Sequence, residues 1–145
     1  MAVEVFPEVE IQKFVEDWYV ALDVHDPIEQ VEPYLTPQGL VMTFPEGTLH
    51  GLSGFREWYK TVTHRFFDEE HAVTSVQADW RPDGTVGAKV VVNWQARIWD
   101  APAARSVWLG FDAYQTWVLG RNGDKPVILS YVVDELKPMP GSASL

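Results

Sequence analysis

Asp23 is the carboxylate of this chain best placed to act on a bound molecule. It follows a run in which Ile11, Phe14, Val15, Trp18 and Leu22 recur at spacings of three and four, the mark of a helix with one apolar face. Asp23 lies one position round from Leu22, at the boundary of that face. A half-shielded carboxylate there can serve as a general base; the competing reading is a solvated acid at a helix end. His71 is the imidazole to set beside it, since imidazole both accepts and delivers protons near neutral pH. Strict alternation argues against an inward His71. Ala72, Thr74, Val76, Ala78 and Trp80 form the more apolar set of the strand that follows, which sends His71 outward with Val73, Ser75 and Gln77. A β-bulge near the start of that strand would restore the inward aim.

The remaining polar candidates are weaker. Asp112 sits mid-strand among aromatic residues but opposite the apolar set, so it is expected to face a partner subunit or solvent. Asp26 reads as a helix cap. His25, His50 and His64 lack a His-x-x-x-His spacing, and no metal site is read from them. Residues 51–54, Gly-Leu-Ser-Gly, look like the start of a helix rather than a phosphate cradle, and no nucleophile elbow is present.

The aromatic load is heavy, with seven Trp, seven Phe and five Tyr. Each such ring covers roughly 150–250 Å², so the chain has either a very large aromatic core or an aromatic-lined hollow. Trp18, Tyr34, Phe44, Phe55, Trp58, Tyr59, Trp94 and Trp117 are the candidates to line that hollow, and each could equally fill it. Tyr19, Tyr34 or Tyr59 could offer a hydroxyl to a ligand.

The elements that must position these groups are legible. A helix is expected over residues 7–24, with Pro7 in its first turn and Glu8 and Glu10 favoured by the dipole. Asp26 and Glu29 read as a capping box for a short second helix that stops before Thr36-Pro37. A strand at 39–44, a turn at 45–47 and a return at 48–50 precede a third helix capped by Ser53, whose face carries Phe55, Trp58, Tyr59, Val62 and Phe66. Four long strands follow at 71–80, 85–100, 106–119 and 126–136, with turns such as Pro82-Asp83-Gly84 between them. Residues 1–137 make one domain, and the tail 138–145 is expected to extend over a neighbour or stay mobile.

The strand faces differ in character. Val86, Ala88, Val90, Val92, Trp94, Ala96 and Ile98 share a face that belongs under the helices, as do Val107, Leu109, Phe111, Ala113, Gln115, Trp117 and Leu119. The opposite face mixes Asn93, Gln95 and Arg97 with Trp99, Trp108 and Tyr114. Such an amphipathic surface suits a homodimer interface, with exposed sheet in a monomer as the alternative.

Bulk composition narrows the function classes. Twenty-one acidic against eleven basic residues give a net charge of −10, which repels phosphate backbones and argues against nucleic-acid binding. The chain has no cysteine and no apolar run near the roughly 18 residues a membrane span needs. Its start carries Glu4, Glu8 and Glu10 without Lys or Arg, unlike a signal peptide, so a cytoplasmic protein away from membranes is expected.

The order helix, helix, strand, helix and four strands resembles the nuclear transport factor two-like superfamily, which includes SnoaL-like polyketide cyclases, ketosteroid isomerases and scytalone dehydratases. The likeness rests on Trp18-Tyr19 followed by Leu22-Asp23, on residues 51–58 opening the third helix, on His71-Ala-Val-Thr-Ser75, and on Ile128-Leu-Ser-Tyr131-Val-Val-Asp134. It implies an α+β cystatin-like cone, with three helices packed on a curved, mostly antiparallel sheet around a pocket. It also implies cofactor-free acid–base chemistry of the isomerase, lyase or hydrolase type on a small apolar carbonyl or polycyclic molecule. In that scheme Asp23 matches the pocket acid of scytalone-dehydratase-like members and His71 an inward histidine of polyketide-cyclase-like members. Together they would form a carboxylate–imidazole couple with Asp23 as base. Asp134 becomes either a pocket acid or a structural hydrogen-bonding group at the sheet's end. The superfamily also hosts non-catalytic ligand carriers, dimerising accessory domains and small oxygenase subunits, so fold alone does not decide activity.

Overall fold

The computed structural model describes residues 6–145; the acidic start around Glu4 lies outside them. Helix α1 spans Glu8–Asp23, α2 spans Ile28–Val31 and runs into a 3₁₀ turn at Glu32–Tyr34, and α3 spans Gly51–Arg65. Strands are β1 Val41–Phe44, β2 Gly47–His50, β3 Phe67–Trp80, β4 Val86–Ile98, β5 Val107–Asn122 and β6 Lys125–Pro138. They form one sheet in the order β2-β1-β6-β5-β4-β3. Every pairing is antiparallel except β1 with β6. This is the α+β cone expected from the order of elements. No helix among the described residues is long and apolar enough to cross a membrane.

Helix α1 forms because its apolar positions repeat at helical spacing. Ile11, Val15, Trp18, Tyr19, Ala21 and Leu22 are buried, with Glu8 and Glu10 in the first turn. It ends in a Schellman motif: the His25 amide donates to the Leu22 carbonyl at 3.2 Å and the Asp26 amide to that of Ala21 at 3.0 Å. The left-handed residue of such a motif is usually glycine; here it is His25, at φ 52°.

Two helix starts differ from expectation. No side chain caps α2, so Asp26 is not its cap; Pro27 precedes the helix and the Asp26 carbonyl instead accepts the Tyr59 hydroxyl at 2.6 Å. Helix α3 begins at Gly51, two residues before Ser53, and no side chain caps it. Gly51 stands at φ 70°, the left-handed turn from β2 into the helix that only glycine makes without strain.

Strand β3 starts at Phe67, four residues earlier than expected, and is irregular. Its register against β4 slips between Phe67 and Glu70 and again between Val73 and Ser75. Asp68, at φ 50°, lies within the first slip. Strict alternation therefore fails here. Glu69, His71 and Val73 turn toward the helices, Ala72 and Thr74 are exposed, and after the second slip Val76, Ala78 and Trp80 take over the shielded side.

Strands β4 and β5 follow the expected alternation, with Val86, Ala88, Val90 and Val92 facing the same interior as Ala113, Trp117 and Leu119. The tail neither leaves the domain nor lies free. The Met139 amide donates to the Gly110 carbonyl at 2.9 Å and the Ala143 amide to that of Trp108 at 3.0 Å, so residues 139–143 run back along β5. Gly110 makes this possible: a Cβ there would come within 2.4 Å of the Trp108 ring and 2.8 Å of the Met139 sulfur.

Candidate functional site

Between the concave sheet face, α3 and the end of α1 lies a cavity with about 810 Å³ of atom-free space, its open mouth included. Phe44, Trp58, Tyr59, Phe66 and Trp94 form much of its wall, while Tyr19, Gln115 and Tyr131 bring polar atoms to it. His71 and Glu69 also line it.

Asp23 and His71 meet. The Asp23 Oδ1 lies 2.5 Å from His71 Nδ1, and its Oδ2 accepts the His71 backbone N–H at 2.9 Å. Helix α1 supplies the acid from its last residue, and the slip between Val73 and Ser75 puts His71, paired with the inward Trp94, on the same side of the sheet as Val76, Ala78 and Trp80. An ionised carboxylate only accepts, so the ring proton of the neutral imidazole belongs on Nδ1. Nε2 then has its lone pair free and no protein partner among the described residues. The ring stacks on Tyr19, with centroids 4.7 Å apart, and lies nearly parallel to Trp94 at 6.0 Å. Asp23 itself is not part of the cavity wall; the imidazole is what a ligand would meet.

A second couple lies beside the first, with its partners exchanged. Here β3 supplies the acid, Glu69, and the loop after α1 supplies the imidazole, His25. Glu69 Oε2 is 2.6 Å from His25 Nε2, and Glu69 Oε1 accepts the Trp94 indole N–H at 3.1 Å. Sequence patterns single out neither residue for this role. Glu69 reads as part of a loop leaving α3, and a non-glycine residue at φ 50° just before it carries no sequence signal.

At the cavity floor a buried network joins Tyr19, Gln115, Trp117 and Tyr131. The Trp117 indole donates to Gln115 Oε1 at 3.1 Å, which fixes the amide so that Nε2 points at the Tyr19 hydroxyl, 2.8 Å away. The Tyr19 and Tyr131 hydroxyls are 2.9 Å apart. Burial pushes the Tyr19 phenol well above its ordinary range, and pushes that of Tyr131 up to about 12. Both are hydrogen-bond donors at any ordinary pH. When Tyr19 donates to Tyr131, the Tyr131 proton is left for a ligand.

Of the rings expected at the cavity, Tyr19, Phe44, Trp58, Tyr59 and Trp94 line it. Trp18, Phe55 and Trp117 do not; all three are fully buried and fill the layer between helices and sheet. Tyr34 packs against Phe14 and Trp18 away from the cavity. Tyr59 is unable to offer its proton to a ligand while it is bonded to the Asp26 carbonyl. Asp112 accepts from Asn93 at 2.9 Å on the outer sheet face, and Asp134 accepts from Thr116 at 2.7 Å, a structural bond at an exposed position.

The sequence pattern of the SnoaL-like domain matches residues 5–125. The chain belongs to that family. Solved structures of similar shape include the hexachlorocyclohexane dehydrochlorinase LinA-type3 from Novosphingobium barchaimii LL02, at 15% identity and a TM-score of 0.74, covering 94% of this chain and 92% of that one. A cystatin-like protein of unknown function from Nostoc punctiforme PCC 73102 aligns at 10% identity and a TM-score of 0.71, over 98% of both chains. Aln2 from a Streptomyces species aligns at 14% identity and a TM-score of 0.68, over 90% of this chain and 88% of that one. Identities this low establish the shared SnoaL-like fold and nothing about substrate. No curated protein matches the chain by sequence.

Proposed function

We propose that this SnoaL-like chain is an acid–base enzyme that removes a carbon-bound proton from a small, largely apolar, ring-sized molecule carrying a carbonyl or similar electron-withdrawing group. The observation that carries this reading is His71 in the cavity wall with Nδ1 tied to Asp23 and Nε2 unengaged. In the proposed step the C–H bond breaks, its proton goes to Nε2 and its electron pair moves onto the carbonyl oxygen. His71 is thus the base, and Asp23 positions the ring and stabilises the imidazolium that forms. The Tyr131 hydroxyl, kept protonated by burial, donates to the developing oxyanion. Return of the proton to another carbon isomerises the molecule. Departure of a group from the neighbouring carbon makes the reaction an elimination, the type of change performed by the dehydrochlorinase of similar fold.

A non-catalytic ligand carrier is the second reading, favoured by Trp18, Phe55 and Trp117, which plug part of the interior that an open cone would offer. Incubating the protein with 1-tetralone in D₂O separates the two. Enzyme-dependent deuterium incorporation at the carbon next to the carbonyl, absent with His71→Gln, supports the catalyst. Binding without exchange supports the carrier.

The outer sheet face supports association of two copies, because Tyr114 remains exposed there, two residues from Asp112 of the Asn93–Asp112 pair. The cysteine-free composition supports a reducing, cytoplasmic location.

A further inference from the structure

Glu69 is a carboxylate in the cavity wall that the proposed proton transfer does not use. Its side chain is 9% exposed. Burying a charge this far costs free energy unless partners offset it, and two do: His25 Nε2 at 2.6 Å and the Trp94 indole at 3.1 Å, one on each oxygen. Each carboxylate oxygen can accept a second hydrogen bond, so the group keeps acceptor capacity. The backbone is strained on both sides of the pair. His25 at φ 52° and Asp68 at φ 50° are the two non-glycine residues in the left-handed region among the described residues, and they stand in the two segments that bring His25 and Glu69 together. Strain of this kind persists where the surroundings impose it.

The rest of the wall points to what Glu69 meets. The wall also carries the acid Glu46, in the turn between β1 and β2, and the imidazole of His71; no Lys or Arg among the described residues lines the cavity. Trp58 and Trp94 are among its aromatic rings, and aromatic faces attract cations. An anionic ligand would find no Lys or Arg in this wall. A protonated amine on an apolar body would find a carboxylate, ring faces and a second acid at the mouth.

We infer that Glu69, held by His25 and Trp94, is the specificity-determining residue of the cavity, and that it selects ligands whose apolar ring bears a protonated amine over those bearing a carboxylate. This rests on the proposal that the cavity is a ligand pocket.

Isothermal titration of the full chain with 2-naphthylmethylammonium and with 2-naphthoate tests it. The wild type binds the ammonium at least about tenfold more tightly, a difference of about 1.4 kcal/mol. Glu69→Gln brings the two affinities within about threefold. Glu70→Gln, which removes the same charge from an exposed neighbouring position, leaves the preference intact. Should Glu69→Gln lose its cooperative melt, His25→Asn reads the same property, lowering the preference by at least about threefold as one of the bonds orienting the carboxylate is lost. Equal binding of both probes by the wild type, or equal loss of preference in Glu70→Gln, overturns the inference and leaves the pocket standing. Failure of both probes to bind, with 1-tetralone also not binding, overturns the pocket reading and this inference with it.

Discussion

Asp23 holds His71 at two points, through ring Nδ1 at 2.5 Å and through the backbone N–H at 2.9 Å. The two bonds engage different oxygens of one carboxylate, so the acid cannot rotate without breaking one of them. They also join the last residue of α1 to the irregular start of β3, fixing the imidazole against the sheet. A base held in one orientation loses little entropy on reaching its near-attack position.

Asp23→Asn tests what that grip does. The amide keeps the shape and one acceptor, so the bond to the backbone N–H can survive, but the negative charge and the choice of ring tautomer are lost. Deuterium exchange into 1-tetralone is expected to fall by roughly 10²–10⁴-fold, while the melt loses only about 1 kcal/mol. A large loss of stability with unchanged exchange would make Asp23 structural.

The buried phenols set an alkaline limit on stability. Burial pushes Tyr59 and Tyr131 up to about 12, with Asp26 and Glu69 adding to the shift at Tyr59, and Tyr19 lies higher than its ordinary value for the same leading reason. In the unfolded chain these groups ionise near 10. As pH rises through about 10 the unfolded state therefore loses protons first, and stability that is complete below that point declines until the folded values near 12 are passed. Tm is expected to be flat from about pH 8 to 9.5 and to fall steeply above 10. Tyr131→Phe makes that fall shallower; an unchanged slope would show that Tyr131 is not shielded.

Trp117 and Trp58 separate filling from lining. Trp117 is fully buried and donates to Gln115, so Trp117→Ala is expected to cost about 3–5 kcal/mol in denaturant unfolding. Trp58 borders the cavity and stacks on Phe44 at 4.7 Å. Trp58→Ala is expected to cost less stability and to weaken 1-tetralone binding at least about tenfold. A reversal of these two effects would move the binding space to the other side of the aromatic layer.

Association through the outer sheet face predicts a particle of twice the 16.5 kDa chain mass in light scattering after size exclusion. Tyr114, 37% exposed with Lys137 over its ring, stands on that face. Tyr114→Glu is expected to yield monomer without lowering the melt; a wild type that is already monomeric removes the proposal.

The order of elements and the inner faces of β4 and β5 were legible because period-two and helical spacings are properties of consecutive residues. His71 was not legible in the same way. Its direction depends on the slip against β4 between Val73 and Ser75, and a bulge at residues with no glycine-like signature leaves no mark on an alternation pattern. Pairing of His25 with Glu69 was missed for a related reason: it joins a helix-ending loop to a strand through two left-handed non-glycine residues. Partition of the rings was out of reach too, since Trp18 and Trp58 differ in which neighbours they meet across layers, not in local spacing. Residues 138–145 read as a tail that extends over a neighbour or stays mobile because what holds residues 139–143, the stretch of β5 around Gly110, is distant in sequence.

The central claim is that His71 presents a bare Nε2 to the cavity while Asp23 holds the proton on Nδ1. Long-range ¹H–¹⁵N NMR of the histidine side chains, with His71 assigned by its absence in His71→Gln, measures this directly. The account predicts that the ring in its neutral form carries its proton on Nδ1, with the Nε2 resonance shifting when 1-tetralone is added. A proton on Nε2, or a ring whose signals ignore 1-tetralone at concentrations that saturate the cavity, would contradict it.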